Sequence, residues 1–186
     1  IAKEQGYKII CGTDEAGRGP LCGPVCAGAV VLPQDFDTGE LNDSKKLSEK
    51  KREMLYEVIR KKAIAYSICE ISQQEIDELH ILNAVKKCMT NAVHTLPIKP
   101  DITLVDGVDT NLDINAEYIV KGDSKSYTIG CASILAKVYR DNLMKEYAKD
   151  FPEYGFEKHK GYGTKAHIEK IKEIGPCKLH RKTFIK

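Results

Sequence analysis

The chain has 186 residues, of which 42% are hydrophobic and 30% charged, and its formal net charge is +2. These values are typical of a globular domain with a sizeable core and exclude a disordered or fibrous chain. No apolar run approaches the roughly 18–20 residues of a membrane-spanning helix, and the first residues lack the apolar stretch of a signal peptide. We therefore expect a cytoplasmic protein without membrane contact, and leave open an upstream extension before Ile1.

The two ends of the chain differ in charge. Residues 1–120 contain 14 Lys or Arg and 19 Asp or Glu, whereas residues 121–186 contain 15 and 8, so the balance changes from −5 to +7. An acidic part and a basic part suit a protein that binds metal ions with one and a phosphate backbone with the other. Lysines that only keep C-terminal helices solvated would give the same pattern.

The cysteine content favours a reducing compartment. Seven cysteines are an odd number, and most lie in apolar stretches, which predicts buried free thiols. Cys22 and Cys26 form a C-x3-C pair, but no second Cys or His pair follows at zinc spacing, which disfavours a metal site built on cysteine.

The first half of the chain predicts strands alternating with helices. Apolar runs at 7–13 and 25–32 predict a hairpin of two buried strands, joined by the turn-forming segment GRGPLCGP. Ser48 is a predicted N-cap of a helix, and residues 63–72 alternate like a strand. Ser72 and Glu75 form a capping-box pattern that opens a long amphipathic helical stretch, 72–96. Short apolar runs at 100–107 and 116–120 predict two further strands.

The second half is mainly helical. Residues 127–150 predict a long helix whose first half is buried, and Thr164 predicts the cap of a last helix ended by Gly175 and Pro176. Strands and helices are interleaved, so the predicted class is α/β with a mixed sheet. No repeat or linker separates domains. We expect one domain, 1–186, with a helical C-terminal subregion from about 142 to 186.

Acidic residues follow several predicted strands. Asp14 and Glu15 close the first, Asp106 closes ITLVD, and Asp123 follows a further apolar run. Strand ends in α/β sheets converge on ligand crevices, and gathered carboxylates need cations to offset their repulsion. Oxygen ligands favour Mg²⁺ or Mn²⁺. Any one of these acids alone is more typical of a solvated turn or cap residue.

The segment Gly17-Arg18-Gly19 lies directly after the first acids. Glycines let backbone groups approach a ligand closely, so the loop is a candidate for contact with a sugar or phosphate. A tight hairpin turn with an exposed Arg18 explains the same residues equally well. The segment is neither a P-loop nor a dinucleotide-binding motif.

Basic and aromatic residues supply candidate nucleic-acid contacts. Lys45, Lys46 and Lys125, with neighbouring hydroxyls, are candidate phosphate ligands, although a charge run is usually a solvated helix start. Tyr162, between two glycines, is placed to stack on a sugar or base, or to pack as an ordinary core residue. Three histidines of the basic tail fit simple surface positions: His159, His167 and His180.

These motifs together resemble one known family. The segments GTDEAGRGPLCGPVCAGAVVL, DSKKLS, LVDG, KGDSKSYTIGCASILAKVYRD, HKGYGTKAH and CKLHRKTF occur in the order found in bacterial type 2 ribonuclease H, also called ribonuclease HII. The resemblance runs from about residue 8 to residue 184, and the chain shows no departure where the family's chemistry lies.

The resemblance implies a ribonuclease H-like fold with a helical C-terminal part. It also implies hydrolysis of the RNA strand of RNA–DNA hybrids and incision 5′ of single ribonucleotides in duplex DNA, with 3′-hydroxyl and 5′-phosphate ends. By similarity, the catalytic and metal-binding acids are Asp14, Glu15, Asp106 and Asp123, with Mn²⁺ or Mg²⁺ as cofactor and two ions during catalysis.

The resemblance further assigns substrate contacts. It implies that the Gly17–Gly19 loop recognises the 2′-hydroxyl and that Tyr162 contacts the same nucleotide, while the lysines and Ser124 contact phosphates. We expect a monomer that a replication sliding clamp is able to recruit. Two alternatives remain: a non-catalytic hybrid-binding module, and a DNA nuclease or transposase-like enzyme of related fold.

Overall fold

A five-stranded mixed sheet forms the centre of the molecule. The computed structural model describes residues 5–37, 47–108 and 110–185. The strands are β1 Ile10–Ala16, β2 Val25–Val31, β3 Ala65–Ile71, β4 Ile102–Asp106 and β5 Ala116–Ile119. Their order is β3-β2-β1-β4-β5, with β1, β2 and β3 antiparallel in succession and β4 and β5 parallel to β1. The predicted hairpin, the mixed sheet and the α/β class are confirmed.

Helices cover both faces of the sheet and form the C-terminal part. They are α1 Glu49–Lys62, α2 Gln73–Leu79, α3 Ile81–His94, α4 Gly122–Lys125, α5 Tyr127–Asp150, α6 Phe156–His159 and α7 Lys165–Ile174, with 3₁₀ turns at Pro152–Tyr154 and Lys182–Phe184. The side chains of Ser48, Ser72 and Thr164 accept backbone N–H groups at the starts of α1, α2 and α7. These three predicted caps are therefore confirmed. Within the described residues, no helix combines the length and the apolar character of a membrane crossing.

The predicted helix over 72–96 is wrong as one element, because two helices occupy the segment. His80 separates α2 from α3 with a φ of 62° and a ψ of 151°. This backbone conformation is not helical, so the hydrogen-bond series of α2 ends before that of α3 begins. The break lets α2 turn toward the C-terminal segment. There the Asp77 carboxylate accepts the backbone N–H groups of Lys182 and Thr183 at 2.8 and 2.9 Å.

Two glycines bring α5 into direct contact with the sheet. A Cβ at Gly12 would lie 2.5 Å from the backbone carbon of Thr128, and a Cβ at Gly28 would lie 2.5 Å from the carbonyl oxygen of Ala132. Real Cβ atoms do not approach backbone so closely, so both positions require glycine for this packing. As a result, the face of α5 around Ser133 lies close to the end of β1 that carries the acids.

The opposite face of the sheet packs against α3, and a smaller cluster forms the C-terminal part. Alternate residues of β2, among them Ala27 and Ala29, join the buried side chains of α3 in the largest apolar cluster. Met144 of α5 packs with the C-terminal part in a cluster of Cys22, Met144, Ala148, Tyr154, Phe156 and Leu179. α5 runs without a break through residue 142. The proposed start of the C-terminal subregion therefore falls inside a helix.

Candidate active site

The acids of β1 and β4 meet at one edge of the sheet. The two strands are parallel neighbours, and Thr13 pairs with Val105, so the residues that follow on both strands lie side by side. Asp14, Glu15 and Asp106 line a pocket of about 380 Å³. The other lining residues come from the loop after β1, from α1, from α5 and from the segment after α6: Ala16, Gly17, Arg18, Gly19, Arg52, Ser133, Ile134, Lys137 and Tyr162.

Asp14 is the most buried of the three pocket acids, with 4% of its surface exposed. Burial raises the pKa of its carboxyl well above the ordinary value, and the negative charges of Glu15 and Asp106 raise it further. Hydrogen bonds from Ser133 and from the Glu15 backbone N–H, at 2.8 Å for the latter, oppose that rise in pKa. The ionised form of Asp14 is therefore disfavoured in the metal-free protein.

Glu15 has a cation beside it. Burial raises the pKa of its carboxyl, and the positive charge of Arg18 acts in the opposite direction. Arg18 Nε lies 3.6 Å from Glu15 Oε1, and about half of the Arg18 side chain remains exposed. Arg18 is thus within reach of both an acid of the site and the solvent in front of it.

Asp106 and Asp123 are connected through one residue. The Gly122 backbone N–H donates to Asp106 Oδ1 at 2.5 Å, which fixes the orientation of that carboxylate. Asp123 is the next residue, in the first turn of α4, and 5% of its surface is exposed. In the described part of the chain, Asp123 is not among the residues that line the pocket. The fold therefore brings three of the predicted acids into one pocket and puts the fourth next to the residue that orients Asp106.

The acids fit a hard divalent cation. They offer only oxygen atoms, which Mg²⁺ and Mn²⁺ prefer. Burial is the main cause of the raised pKa of Asp14 and of Glu15, so the ionised form of both carboxyls is costly in the metal-free protein. A bound cation would offset that cost and would lower both pKa values.

The Gly17–Gly19 loop is held from behind by Arg181, which is fully buried. Arg181 Nη2 donates to the Gly17 carbonyl oxygen at 2.6 Å, and Nη1 donates to the Arg18 carbonyl oxygen at 3.1 Å. In a trans peptide the carbonyl and the following N–H point in opposite directions. The N–H groups of Arg18 and Gly19 therefore point away from the guanidinium.

Arg140 of α5 holds the next part of the same segment. Its guanidinium donates to the carbonyl oxygens of Cys22, Pro24 and Lys160 at 2.9 to 3.1 Å. Gly17 passes so close to it, with a φ of 98°, that a Cβ there would lie 2.1 Å from Arg140 Nε. Gly17 thus needs glycine both for its left-handed backbone and for this contact.

Neither buried arginine, Arg140 or Arg181, was predicted from the sequence to support the site. Burial lowers the pKa of Arg140, and burial together with the charge of Arg140 lowers the pKa of Arg181 to about 10, so Arg181 remains cationic at neutral pH. A signal for Arg140 existed. It lies four residues after Ala136 and four before Met144, both buried, so helical periodicity places it on the inner face of α5.

Tyr162 faces the loop across the pocket. Its side chain is 43% exposed, and a Cβ at Gly19 would lie 3.8 Å from Tyr162 Cε1. Lys137 Nζ lies 5.8 Å from the centre of the Tyr162 ring, within cation–π range, and donates to Asp141 Oδ1 at 2.7 Å. The ring is therefore exposed to an incoming ligand instead of packed in the core.

The surface positions predicted for the tail histidines are wrong for two of them. His167 is fully buried and His180 is 4% exposed, because both rings pack against Phe156 in the C-terminal part. His167 Nδ1 lies 2.9 Å from the Tyr162 carbonyl oxygen. His167 therefore helps to fix the backbone of Tyr162. His159 is half-buried and stacks on the His167 ring.

The predicted phosphate ligands lie beside the pocket or outside the described residues. Lys125 ends α4 and is exposed, as is Ser124, whose hydroxyl donates to the Lys121 carbonyl oxygen at 2.9 Å. Neither is among the residues lining the pocket in the part of the chain that the structure describes. Lys45 and Lys46 fall within 38–46, which lies outside the described residues.

Comparison with known proteins identifies the family. A family model described as Ribonuclease HII matches residues 11–186. A ribonuclease HII from Caldicellulosiruptor bescii is 54% identical over 183 residues, which cover 98% of this chain and 89% of the relative. The ribonuclease H2 structure from Pyrococcus horikoshii OT3 matches with a TM-score of 0.80 at 28% identity, over 95% of this chain and 93% of that chain.

A second solved structure has the same architecture. The PCNA:RNase HII complex from Archaeoglobus fulgidus matches with a TM-score of 0.78 at 27% identity, over 94% of both chains. These likenesses confirm the ribonuclease H-like fold with its helical C-terminal part. Together with the family model, they show that the chain belongs to the ribonuclease HII family.

Proposed function

We propose that this endonuclease incises duplex DNA on the 5′ side of single embedded ribonucleotides, in addition to cleaving the RNA strand of RNA–DNA hybrids. Family membership supports the general activity, that of a divalent-metal-dependent ribonuclease H acting on hybrids. The finer proposal includes products with 3′-hydroxyl and 5′-phosphate ends, and a role in ribonucleotide removal from DNA. It rests on the arrangement of the pocket.

One observation carries the proposal: three of the four acids, Asp14, Glu15 and Asp106, line the same pocket as the Gly17–Gly19 loop. The 2′-hydroxyl is the only group that distinguishes a lone ribonucleotide from the DNA around it. Backbone N–H groups next to glycine approach such a hydroxyl closely, because no side chain intervenes. With the Gly17 and Arg18 carbonyls fixed by Arg181, the N–H groups on the other side of these peptides are oriented before substrate arrives.

The acids supply the metal ligands in this proposal. Asp14, Glu15, Asp106 and Asp123 would hold two Mg²⁺ or Mn²⁺ ions, with Gly122 fixing the Asp106 carboxylate. When bound, such ions generate a nucleophilic water and stabilise charge on the leaving oxygen. Among the described residues, no histidine, lysine or cysteine lines the pocket beside the acids except Lys137, which is engaged with Asp141.

Phosphate contacts complete the proposed substrate site. Lys125 and Ser124 of α4, with Lys45 and Lys46, would contact the nucleic-acid backbone without reading its sequence. Ser124 and Lys125 are exposed and directly follow Asp123 in the chain, which supports this placement. Tyr162 would stack on, or donate a hydrogen bond to, the nucleotide that the loop tests.

A nicking assay tests the function. The substrate is a DNA duplex with one ribonucleotide, compared with an all-DNA duplex of the same sequence and an RNA–DNA hybrid, each with Mn²⁺, with Mg²⁺ or with chelator. We expect a metal-dependent nick 5′ of the ribonucleotide, with ends that ligase and phosphatase treatments identify as 3′-hydroxyl and 5′-phosphate. Binding without a nick would favour the hybrid-binding module, and equal cleavage of all-DNA duplex would favour the DNA nuclease.

Substitution of Tyr162 tests the recognition of the junction. We expect Tyr162→Ala to lower cleavage at the single ribonucleotide more than cleavage of the plain hybrid, roughly tenfold or more, because a stacking contact contributes about 1–3 kcal/mol. Tyr162→Phe keeps the aromatic ring and removes the hydroxyl, so it tests stacking separately from hydrogen bonding. An unchanged ratio of the two activities in Tyr162→Ala would remove Tyr162 from the recognition site.

The proposal extends to the state of the protein in the cell. We propose a cytoplasmic monomer in one domain that a replication sliding clamp recruits. The Archaeoglobus fulgidus relative, solved as a complex with PCNA, supports recruitment of this kind. Light scattering with and without the clamp of the same organism tests both points. A dimer alone, or no complex with the clamp, would contradict them.

A further inference from the structure

A buried cluster of one thiol and two imidazoles lies in the C-terminal part of the molecule. Cys22 and His180 form an antiparallel bridge pair, and His167 of α7 packs against both. One ligand atom from each of the three residues lies within 4.8 Å of the other two, and the two Nε2 atoms of the histidines are 3.1 Å apart. Such spacing is that of groups around one metal ion of the size of Zn²⁺ or Cu⁺.

The backbone orients both imidazoles with the same nitrogen inward. His167 Nδ1 lies 2.9 Å from the Tyr162 carbonyl oxygen, whereas His180 Nδ1 accepts the Cys177 backbone N–H at 2.9 Å. A histidine ligand of a metal commonly donates its other N–H to a backbone carbonyl, as His167 is placed to do. Both Nδ1 atoms thus face backbone groups, and the two Nε2 atoms face each other.

We propose that Cys22 Sγ, His167 Nε2 and His180 Nε2 form a binding site for a thiophilic cation, Zn²⁺ or Cu⁺, independent of the proposed nuclease function. A thiolate with two imidazoles selects such ions, whereas Mg²⁺ and Mn²⁺ prefer the oxygen atoms of the acids. The site differs from the C-x3-C pair of the sequence. Cys26 takes no part in it, and the ligands are separated by up to 158 residues of chain.

The binding step conserves atoms and charge without a redox reaction. The Cys22 thiol releases one proton as its sulfur bonds to the metal, and each imidazole binds as the neutral form. His180 Nδ1 also lies 2.9 Å from the Cys177 backbone nitrogen. In the metal-bound form the imidazole proton would move from Nε2 to Nδ1, which breaks the hydrogen bond from the Cys177 N–H and replaces it with one to the Cys177 carbonyl oxygen, now 3.3 Å away.

The residues around Cys22, His167 and His180 favour a metal complex with a small net charge. Burial raises the pKa of the Cys22 thiol to about 12, and the positive charges of Arg140 and Arg181 oppose that rise, so a bound cation is needed to form the thiolate at neutral pH. Burial lowers the pKa of both histidines, to about 4 for His180, so the ligands are uncharged at neutral pH. Cu⁺ with one thiolate is neutral and accepts three ligands, whereas Zn²⁺ retains a positive charge and requires a fourth.

A route to the cluster exists at the molecular surface. His180 also lines a surface pocket of about 370 Å³, with Cys177 and Lys178 at its rim. Cys177 is half-buried, and its Sγ lies 3.3 Å from His180 Nδ1. An ion entering here would meet a thiol and an imidazole before reaching Cys22.

Cobalt binding tests the site through a signal that carboxylates do not give. The reduced wild-type protein, with excess Mg²⁺ to fill the acidic site, is titrated with Co²⁺ as a spectroscopic substitute for Zn²⁺. We expect a thiolate-to-cobalt charge-transfer band that saturates at one equivalent and is displaced by Zn²⁺. Competition with a Cu⁺ chelator of known affinity, under the same conditions, decides between the two ions.

Two cysteine variants distinguish the site from general thiol binding. Cys22→Ala should lose the band, and Cys131→Ala should keep it, since Cys131 is equally buried but packs in a separate cluster on α5. A metal at a hundredfold excess over its Kd should raise the melting temperature of the wild type by roughly 5–10 °C. Absence of the band and of this rise in the wild type, or a full band in Cys22→Ala, would overturn the proposal.

Discussion

Asp14 and Glu15 are consecutive residues of β1, but their charges are balanced differently. Glu15 has Arg18 at 3.6 Å, whereas Asp14 is buried near Glu15 and Asp106, and in the described residues hydrogen bonds from Ser133 and the Glu15 N–H oppose the rise in its pKa. Of the two, Asp14 therefore depends more on a bound cation. Its substitution should affect both catalysis and the stability of the metal-free protein.

Neutral amides at the acids should abolish catalysis without unfolding the protein. We expect Asp14→Asn and Asp106→Asn to lower the cleavage rate by more than about 100-fold, because even the residues that orient metal ligands typically contribute 10–100-fold. Single-turnover cleavage of the hybrid with Mn²⁺ measures the effect. Asp113→Asn is the control, since Asp113 is exposed and lies away from the pocket. A near-normal rate in either site variant would remove that residue from the catalytic set.

The pKa of Asp14 predicts how the stability of the metal-free protein changes with pH. A raised pKa means that the folded protein binds the proton more tightly than the unfolded chain does. Protonated Asp14 therefore stabilises the fold at low pH, and this stabilisation is lost as the pH rises through the raised pKa. Glu15 acts in the same direction. Asn cannot ionise, so Asp14→Asn should melt higher than the wild type near neutral pH.

Thermal unfolding in chelator at several pH values checks this expectation. The advantage of Asp14→Asn should amount to a few degrees at neutral pH and vanish below about pH 4, where the unfolded wild-type carboxyl is also protonated. Saturating Mn²⁺ should reverse the order, because the wild type gains the binding energy of the ion. A variant that is less stable than the wild type in chelator at neutral pH would contradict the raised pKa.

At the scale of elements, most of the fold follows from patterns in the sequence. All five strands and the caps of α1, α2 and α7 are signalled locally, by apolar runs and by Ser or Thr before a helix. The break at His80 is not signalled, since the residues on both sides continue an amphipathic pattern. It accompanies a distant contact, that of Asp77 with the Lys182–Thr183 backbone, which no local pattern contains.

The site was predictable to a similar extent. Acids at strand ends indicate a cation site, and β1 and β4 do bring three of them together. The residues that hold the Gly17–Gly19 loop were not predictable from pattern, because Arg181 is 163 residues from the loop in sequence and acts on backbone carbonyls. Every residue has the same backbone carbonyl group, so the sequence of the loop does not indicate which side chain binds it.

Arg181 should hold the backbone of the Gly17–Gly19 loop in one conformation. Its guanidinium donates to four carbonyl oxygens, those of Gly17, Arg18, Gly23 and Pro24. We expect Arg181→Lys to fold with reduced stability, because each carbonyl left without a donor costs about 1–3 kcal/mol when buried. The preference for the single ribonucleotide over all-DNA duplex should fall more than hybrid binding does. The ratio of cleavage rates and the hybrid Kd measure the two effects.

The neighbouring residue provides a matched control for Arg181. Lys182→Arg changes an exposed basic residue at the start of the 3₁₀ turn that follows Arg181 and should leave both quantities unchanged. Equal losses in cleavage of every substrate by Arg181→Lys would indicate general destabilisation of the protein. Only a change in the substrate ratio supports the role of Arg181 in positioning the loop.

Across the molecule as a whole, we expect the basic residues after position 120 to contact the phosphates of the substrate. The excess of seven positive charges in 121–186 should make substrate binding sensitive to salt. We expect log K to fall linearly with log salt concentration, with a slope of roughly −0.9 for each phosphate neutralised in duplex DNA. Fluorescence anisotropy of a labelled hybrid in Ca²⁺, at several salt concentrations, measures the slope.

Single lysine variants locate the contacts. Lys125→Gln should reduce the magnitude of the slope by about one and weaken binding equally for different sequences. Lys99→Gln is the control, because Lys99 is exposed before the start of β4, at the opposite end of that strand from Asp106. A flat salt response, or an identical effect of the two variants, would count against phosphate binding by Lys125.

The dependence of the Gly17–Gly19 loop on Arg181 has a consequence for protein synthesis. A ribosome makes Asp14, Glu15 and the loop early, but the guanidinium that fixes the loop leaves the exit tunnel more than 160 residues later. A nascent or prematurely terminated chain therefore has the loop without the guanidinium that fixes its carbonyls. On the proposed function, we expect fragments that end before Arg181 to distinguish ribose from deoxyribose less well than the complete chain does.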